Sequence, residues 1–100
     1  MTPDEIDKIL EIPEWDTVSA IKPKEAGFIF QFIREKKLSH TLETGFAFAR
    51  SAAHIIAATG SQHIVIDPFQ DNYQNMGVSN IAKLGFSEKL IFEPDFSHNV

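Results

Sequence analysis

Residues 42–70, LETGFAFARSAAHIIAATGSQHIVIDPFQ, decide the fold. The stretch opens with strand-forming residues that run into Gly45, continues with a helical pattern closed by Gly60, and ends with the apolar run HIVID before Pro68. A short, uninterrupted apolar run bounded by turn residues is typical of a strand buried in a parallel sheet. The stretch therefore predicts a strand, a helix and a second, parallel strand joined by a right-handed crossover.

The flanking residues extend this unit in both directions. Downstream, YQNMGVSNIAKL (73–84) predicts a second crossover helix capped by Gly85, and KLIFE (89–93) predicts a third strand. Upstream, TPDEIDKILEI (2–12) predicts a short capped helix, and another helix begins near Pro23. We predict an α/β fold, a truncated Rossmann-like parallel sheet of three strands in the order 3-2-1, with N-terminal helices and with helices on both faces. We expect residues 1–22 to form the N-terminal helix and connection, and residues 23–100 to form the Rossmann-like domain.

The composition limits the class of protein. One hundred residues, 43% of them hydrophobic and 23% charged, are enough for one globular domain. The net charge is -5 and the nine basic residues are scattered, so the sequence shows no basic patch that would bind nucleic acid or an anionic membrane. This charge pattern favours a small-molecule or protein partner. The opening MTPDEIDK lacks secretory features, and no apolar stretch approaches the ~20 residues of a membrane span, so we expect a cytoplasmic protein.

A metal site is not expected. The chain has no cysteine, which excludes thiolate ligands and disulfides. The four histidines show no ligand spacing such as H-x-x-x-H, and we expect them at surface or capping positions.

Acidic residues follow all three predicted strands, in the sequences Glu43-Thr44-Gly45, Asp67-Pro68 and Glu93-Pro94-Asp95. The carboxyl ends of parallel strands form the ligand-binding edge of such a sheet. Carboxylates there suit hydroxyl and amine donors and repel phosphate. No Walker-type loop is present, and the segment from Gly45 lacks the later glycines of a dinucleotide fingerprint, which disfavours an NAD-type domain. A cofactor with a ribose but no pyrophosphate fits better, with Asp67 at roughly the 20-residue offset expected of a ribose acceptor.

Three stretches carry a family resemblance: LETGFAFARSA, HIVIDPFQ and NIAKLGFSEKLIFEPD. In their order and spacing the chain resembles the class I S-adenosylmethionine-dependent methyltransferases, in particular the branch that methylates small-molecule oxygens. The first stretch is similar to the family's E-x-G-x-x-x-G-x-S-A loop, with Ala49 where a glycine is usual. The resemblance covers roughly residues 24–98 and only the N-terminal half of the family's domain.

The resemblance implies roles at the methionine end of the cofactor. Gly45 and Ala47 would let the loop backbone approach the methionine moiety. Ser51 would bond its carboxylate near a helix N-terminus, where donors point at anions. Glu43 would support the loop.

The resemblance also implies roles at the nucleoside end. Asp67 would accept hydrogen bonds from the ribose hydroxyls, and Phe69 would lie beside the adenine. Asp95 would accept from the adenine amine or neighbouring backbone.

By resemblance, the function is transfer of a methyl group from S-adenosylmethionine to a small-molecule oxygen or nitrogen by in-line displacement. The acceptor pocket and catalytic base of the family come largely from the half that is not matched here, so no catalytic residue is assigned and the chain alone is expected to be inactive. The alternative is a non-catalytic cofactor-binding or dimerisation module. Because the first strand lacks one neighbour, we also expect a homodimer or higher assembly.

Overall fold

The computed structural model of the protein describes residues 1–16 and 20–96, except for the side chains of residues 71 and 72. The helices are α1 (Pro3–Ile9), α2 (Pro23–Lys36), α3 (Arg50–Thr59) and α4 (Met76–Lys83). The strands are β1 (Thr41–Thr44), β2 (His63–Ile66) and β3 (Leu90–Glu93). Short 3-10 helices lie at Gln70–Tyr73 and Ser87–Lys89.

The three strands form one parallel sheet in the order β1-β2-β3. This is the predicted arrangement, with β2 in the centre and β1 at one edge. The register places Thr41 beside His63 and Leu42 beside Ile64, and Ile64 in turn beside Ile91. Helices α3 and α4 form the crossovers, so the predicted α/β fold is confirmed.

Local sequence signals set the ends of the helices. In α1, the Glu5 backbone N–H donates to Thr2 Oγ1 at 3.3 Å, and the Thr2 N–H donates to Glu5 Oε1 at 3.1 Å, forming a capping box. The pKa of the Glu5 carboxyl lies below its ordinary value, chiefly because of the bond from the Thr2 backbone. Helix α4 begins at Met76 rather than Tyr73, since Gln74 and Asn75 both have left-handed backbones that interrupt a helix.

The core lies on one face of the sheet. Val65 in the central strand packs with Ile6 of α1, Ile56 of α3 and Ile81 of α4, and all four are fully buried or nearly so. Phe92 of β3 packs against the same cluster. Three helices from different parts of the chain therefore share one side of the sheet.

The expectation of helices on both faces is wrong for the residues that the structure describes. Leu42, Ile64 and Ile91 alternate with the core-facing residues and so point to the opposite face. They line a groove of about 340 Å³ bordered only by strand and loop residues, and Leu42 is 58% exposed. Two right-handed crossovers that step the same way along a sheet place both helices on the same side.

Among the described helices, none has the length and apolar character needed to span a bilayer.

Candidate cofactor-binding cleft

A cleft of about 290 Å³ lies at the carboxyl ends of β1 and β2. Its floor is the loop between β1 and α3, and the segment just before α2 contributes Ala20 and Ile21 to its wall. All but one of the residues predicted to bind a cofactor line it, namely Glu43, Gly45, Ala47, Ser51, Asp67 and Phe69. The geometry thus brings together residues from β1, from the loops after β1 and β2, and from the start of α3.

The loop after β1 has an unusual backbone. Gly45, Ala47 and Ala49 have φ angles of 87°, 47° and 74°, all in the left-handed region that favours glycine. For an alanine that conformation costs about 1–2 kcal/mol. The loop is held by backbone bonds, since the Gly45 N–H donates to the Ile66 carbonyl at 2.9 Å. Ala49, where the family has a glycine, therefore keeps a glycine-like conformation.

Asp67 organises the cleft from the end of β2. Its side chain is buried, with Oδ2 accepting from the Phe46 N–H at 2.8 Å and Oδ1 from the Phe69 N–H at 2.7 Å. Its own N–H donates to the Glu93 carbonyl of β3 at 3.0 Å. A carboxylate offers about four lone-pair sites, so each oxygen can accept a further bond. The carboxylate ties both loops together and can still receive hydroxyl donors.

Glu43 stands in a chain of side-chain hydrogen bonds beneath the cleft. Ser51 Oγ donates to Glu43 Oε2 at 2.7 Å, and His63 Nε2 lies 2.9 Å from Glu43 Oε1. On its other side, His63 Nδ1 lies 2.8 Å from Thr41 Oγ1. Glu43 thus bonds to the side chains of Ser51 in α3 and His63 in β2, and its support of the loop stays a prediction.

The bond to Glu43 also bears on the role predicted for Ser51. A serine hydroxyl has one hydrogen to donate, and here that hydrogen is engaged by Glu43. A bond from Ser51 to a ligand carboxylate would require the hydroxyl to turn away from Glu43.

Phe69 lies at the outer end of the cleft, whereas Asp95 lies outside its lining. Phe69 is 51% exposed and packs edge-on against Phe96 with ring centroids 5.7 Å apart. A second cavity of about 300 Å³ adjoins the cleft here and shares Gly45, Asp67 and Phe69 with it. Asp95 lines neither cavity, and its Oδ1 accepts from the Phe96 N–H at 2.7 Å. Its predicted adenine contact remains a prediction.

Two residues that the sequence did not single out contact the loop, Gln70 from the 3-10 helix after β2 and Gly77 from α4. Gln70 Nε2 donates to the Ala47 carbonyl at 3.0 Å, while its Oε1 accepts from the Val78 N–H at 3.3 Å. Gly77 has no room for a Cβ, which would lie 2.6 Å from the Ala47 carbonyl oxygen. A lone glycine inside a helical pattern is the signal that could have identified it.

Asn80 links the same region to the N-terminus of the chain. It is 1% exposed and pairs with Glu11 through two bonds, from the Glu11 N–H to Oδ1 at 2.9 Å and from Nδ2 to the Glu11 carbonyl at 3.0 Å. Nδ2 also donates to the Phe48 carbonyl at 2.9 Å. The N-terminal segment and the cleft loop are therefore fastened to one side chain of α4.

Two of the four histidines differ from expectation, while His40 is exposed as expected and His98 lies outside the described residues. His54 and His63 are fully buried, whereas the sequence suggested surface or capping positions. His54 Nδ1 bonds to the Arg50 carbonyl of its own helix at 2.8 Å. Within the described residues, no group of three His, Asp or Glu side chains is arranged to hold a metal ion.

The chain has a parallel α/β sheet with a cleft at the carboxyl ends of its strands. This arrangement is typical of the Rossmann-like class of folds. The O-methyltransferase from Bacillus cereus, solved in complex with SAH, matches with a TM-score of 0.74 at 12% identity, covering 97% of this chain and 44% of that chain. TomG from Streptomyces achromogenes, an O-methyltransferase involved in tomaymycin synthesis and solved with SAM, matches with a TM-score of 0.75 at 13% identity, covering 94% and 44%.

These likenesses confirm the predicted resemblance at the level of the fold: the chain has the fold of part of a class I methyltransferase. It spans less than half the length of both proteins. A scan against protein-family models finds no match, and a search of curated proteins finds no significantly similar sequence.

Proposed function

We propose that the chain is the S-adenosylmethionine-binding half of a methyltransferase that acts on a small-molecule oxygen or nitrogen. The observation that carries the proposal is Asp67, a buried carboxylate at the end of β2 that lines the cleft and retains acceptor capacity. The structural neighbours were solved with SAH and SAM, which supports this choice of cofactor.

The cleft suits the chemistry of this cofactor. Asp67 would accept from the ribose hydroxyls, and the exposed ring of Phe69 would lie against the base. The cofactor supplies an electrophilic methyl group on a sulfonium cation, and the carboxylates of Glu43 and Asp67 in the lining favour a cation. The cleft and its neighbour, about 290 and 300 Å³, together reach the range of about 300–1,000 Å³ that is usual for ligand pockets.

Titration calorimetry with S-adenosylhomocysteine tests the proposal. Asp67→Ala should weaken binding by about 1.5–3 kcal/mol, the range for hydrogen bonds to a charged group. Glu88→Ala, an exposed carboxylate near the start of β3, is the control and should bind as the wild type does. Thermal unfolding of each variant shows whether its fold is intact. A wild-type chain that binds no S-adenosylhomocysteine would contradict the proposal.

The second candidate function is a non-catalytic binding module. Two observations favour this candidate. The cleft is formed by residues of this chain, and the chain spans only 44% of each of the two methyltransferase chains that it resembles. We expect little or no transfer of a radiolabelled methyl group to a panel of catechols, hydroxy acids and amines. The acceptor-orienting residues would then belong to another polypeptide or chain segment. Rapid turnover by the pure 100-residue chain would instead assign the whole reaction to it.

A further inference from the structure

Arg50 is the one basic residue that lines the candidate cleft within the described part of the chain. It is the first residue of α3 and follows the left-handed Ala49. It also lines a neighbouring cavity together with residues 12–14, 16, 20, 22 and 23, so it lies between the N-terminal segment and the cleft. Its side chain is 17% exposed.

The contacts of Arg50 leave donors for a ligand. Its Nη1 donates to the Ile21 carbonyl at 2.8 Å. Its Nε lies 3.5 Å from Asp7 Oδ1 and has no hydrogen-bond partner. A guanidinium carries five N–H donors in a planar fork that matches a carboxylate. The bond to the Ile21 carbonyl uses one of these donors and holds the guanidinium in place, and other donors stay available for a ligand.

We infer that Arg50 binds the carboxylate of the cofactor's amino-acid moiety, an inference that rests on the proposed function. That carboxylate is an anion that must enter a cleft already lined by Glu43 and Asp67. An anion there needs a nearby cation, and Arg50 supplies it. The positive end of the α3 helix dipole acts in the same direction.

Arg50 thereby takes the role that the family resemblance implied for Ser51. The Ser51 hydroxyl hydrogen is engaged by Glu43 at 2.7 Å, whereas the adjacent guanidinium carries a permanent charge and donors to spare.

A comparison of two ligands tests the inference on the full chain. S-adenosylhomocysteine carries the amino-acid carboxylate, and 5′-methylthioadenosine keeps the nucleoside and sulfur but lacks it. Arg50→Met should weaken binding of S-adenosylhomocysteine about tenfold or more and leave binding of 5′-methylthioadenosine within a factor of two. Arg50→Lys keeps the positive charge but lacks the planar set of donors. Its affinity for S-adenosylhomocysteine should lie between those of Arg50→Met and the wild type.

Controls separate this role from a structural one. Asp7→Asn removes the carboxylate nearest Arg50 and should not weaken S-adenosylhomocysteine binding. Equal weakening of both ligands by Arg50→Met would make Arg50 a structural anchor for Ile21 and overturn the inference, as would unchanged affinity for both. A wild-type chain that binds neither ligand would contradict the proposed function itself.

Discussion

Ala47 and Ala49 show how neighbouring residues hold the loop after β1 in shape, and Ala49 does so where the family resemblance would place a glycine. Both have positive φ angles, and each is fixed by its neighbours. The Ala47 carbonyl accepts from Gln70, and Ala49 is completely buried in the core. The surrounding contacts therefore maintain a backbone that these alanines do not favour by themselves. At Ala49 the loop thus has a glycine-like conformation although the residue is alanine.

We predict that Gly77→Ala is destabilising. The added methyl would meet the Ala47 carbonyl at 2.6 Å and Phe46 Cε2 at 2.9 Å, and the backbone carbonyl cannot move without shifting the loop. Overpacking of this kind costs about 1–3 kcal/mol. Urea denaturation measures the loss of unfolding free energy. Calorimetry should also show weaker binding of S-adenosylhomocysteine, because the displaced loop lines the cleft.

Gly27→Ala is the matched control. Gly27 lies inside α2 with no atom within 4 Å of an added Cβ. Replacing a glycine by alanine in a helix interior should stabilise the chain by roughly 0.5–1 kcal/mol. If both variants were equally stable, the close contact between α4 and the loop would not exist in solution.

Some residues of the site could be predicted from the sequence and others could not. Asp67 follows a recognisable buried strand, so its place at the sheet edge was predictable. The burial of His63 depends on register, which places Thr41 directly beside it and Glu43 two residues further along the same strand. Nothing in the local sequence around His63 specifies those partners.

At the scale of elements, the pattern of strands and crossover helices was predictable because each has a strong periodicity and clear end signals. Gly60, with a φ of 65°, ends α3 as expected. The start of α4 was misplaced because the segment before it forms a 3-10 turn and two left-handed residues. The N-terminal segment is held by a contact 69 positions distant in sequence, which no local pattern reveals.

We predict that Asn80→Ala loosens the N-terminal segment from α4. The substitution removes three bonds and leaves the polar groups of Glu11 and Phe48 without their partner. Leaving the buried Phe48 carbonyl unsatisfied costs about 1–3 kcal/mol, and each of the two part-buried bonds to Glu11 contributes about 0.5–1.5 kcal/mol, so a loss of about 2 kcal/mol or more in unfolding free energy is expected. Hydrogen exchange should show faster exchange at the Glu11 N–H. Ser79→Ala, at an exposed neighbouring position of α4, is the control and should change neither quantity.

At the scale of the whole molecule, one side of the sheet is packed and the other is not. Leu42 lies both on β1, the edge strand, and on the uncovered face that includes Ile64 and Ile91. The packed side follows from the handedness of the crossovers, so it could have been derived from the predicted strand order. What covers the open side cannot be derived from local patterns in this chain.

The open side predicts self-association. An edge strand offers unpaired N–H and C=O groups, and the apolar residues beside it gain free energy when another surface covers them. We expect light scattering at micromolar concentration to give at least twice the 11.3 kDa mass of one chain. Leu42→Lys should return the mass to that of a monomer, because a charge at this exposed position opposes pairing and does not enter the core. Phe28→Lys, on the exposed side of α2, is the control and should leave the assembly intact. A monodisperse wild type of 11.3 kDa would contradict the prediction, and dissociation by Phe28→Lys alone would place the interface on α2 instead.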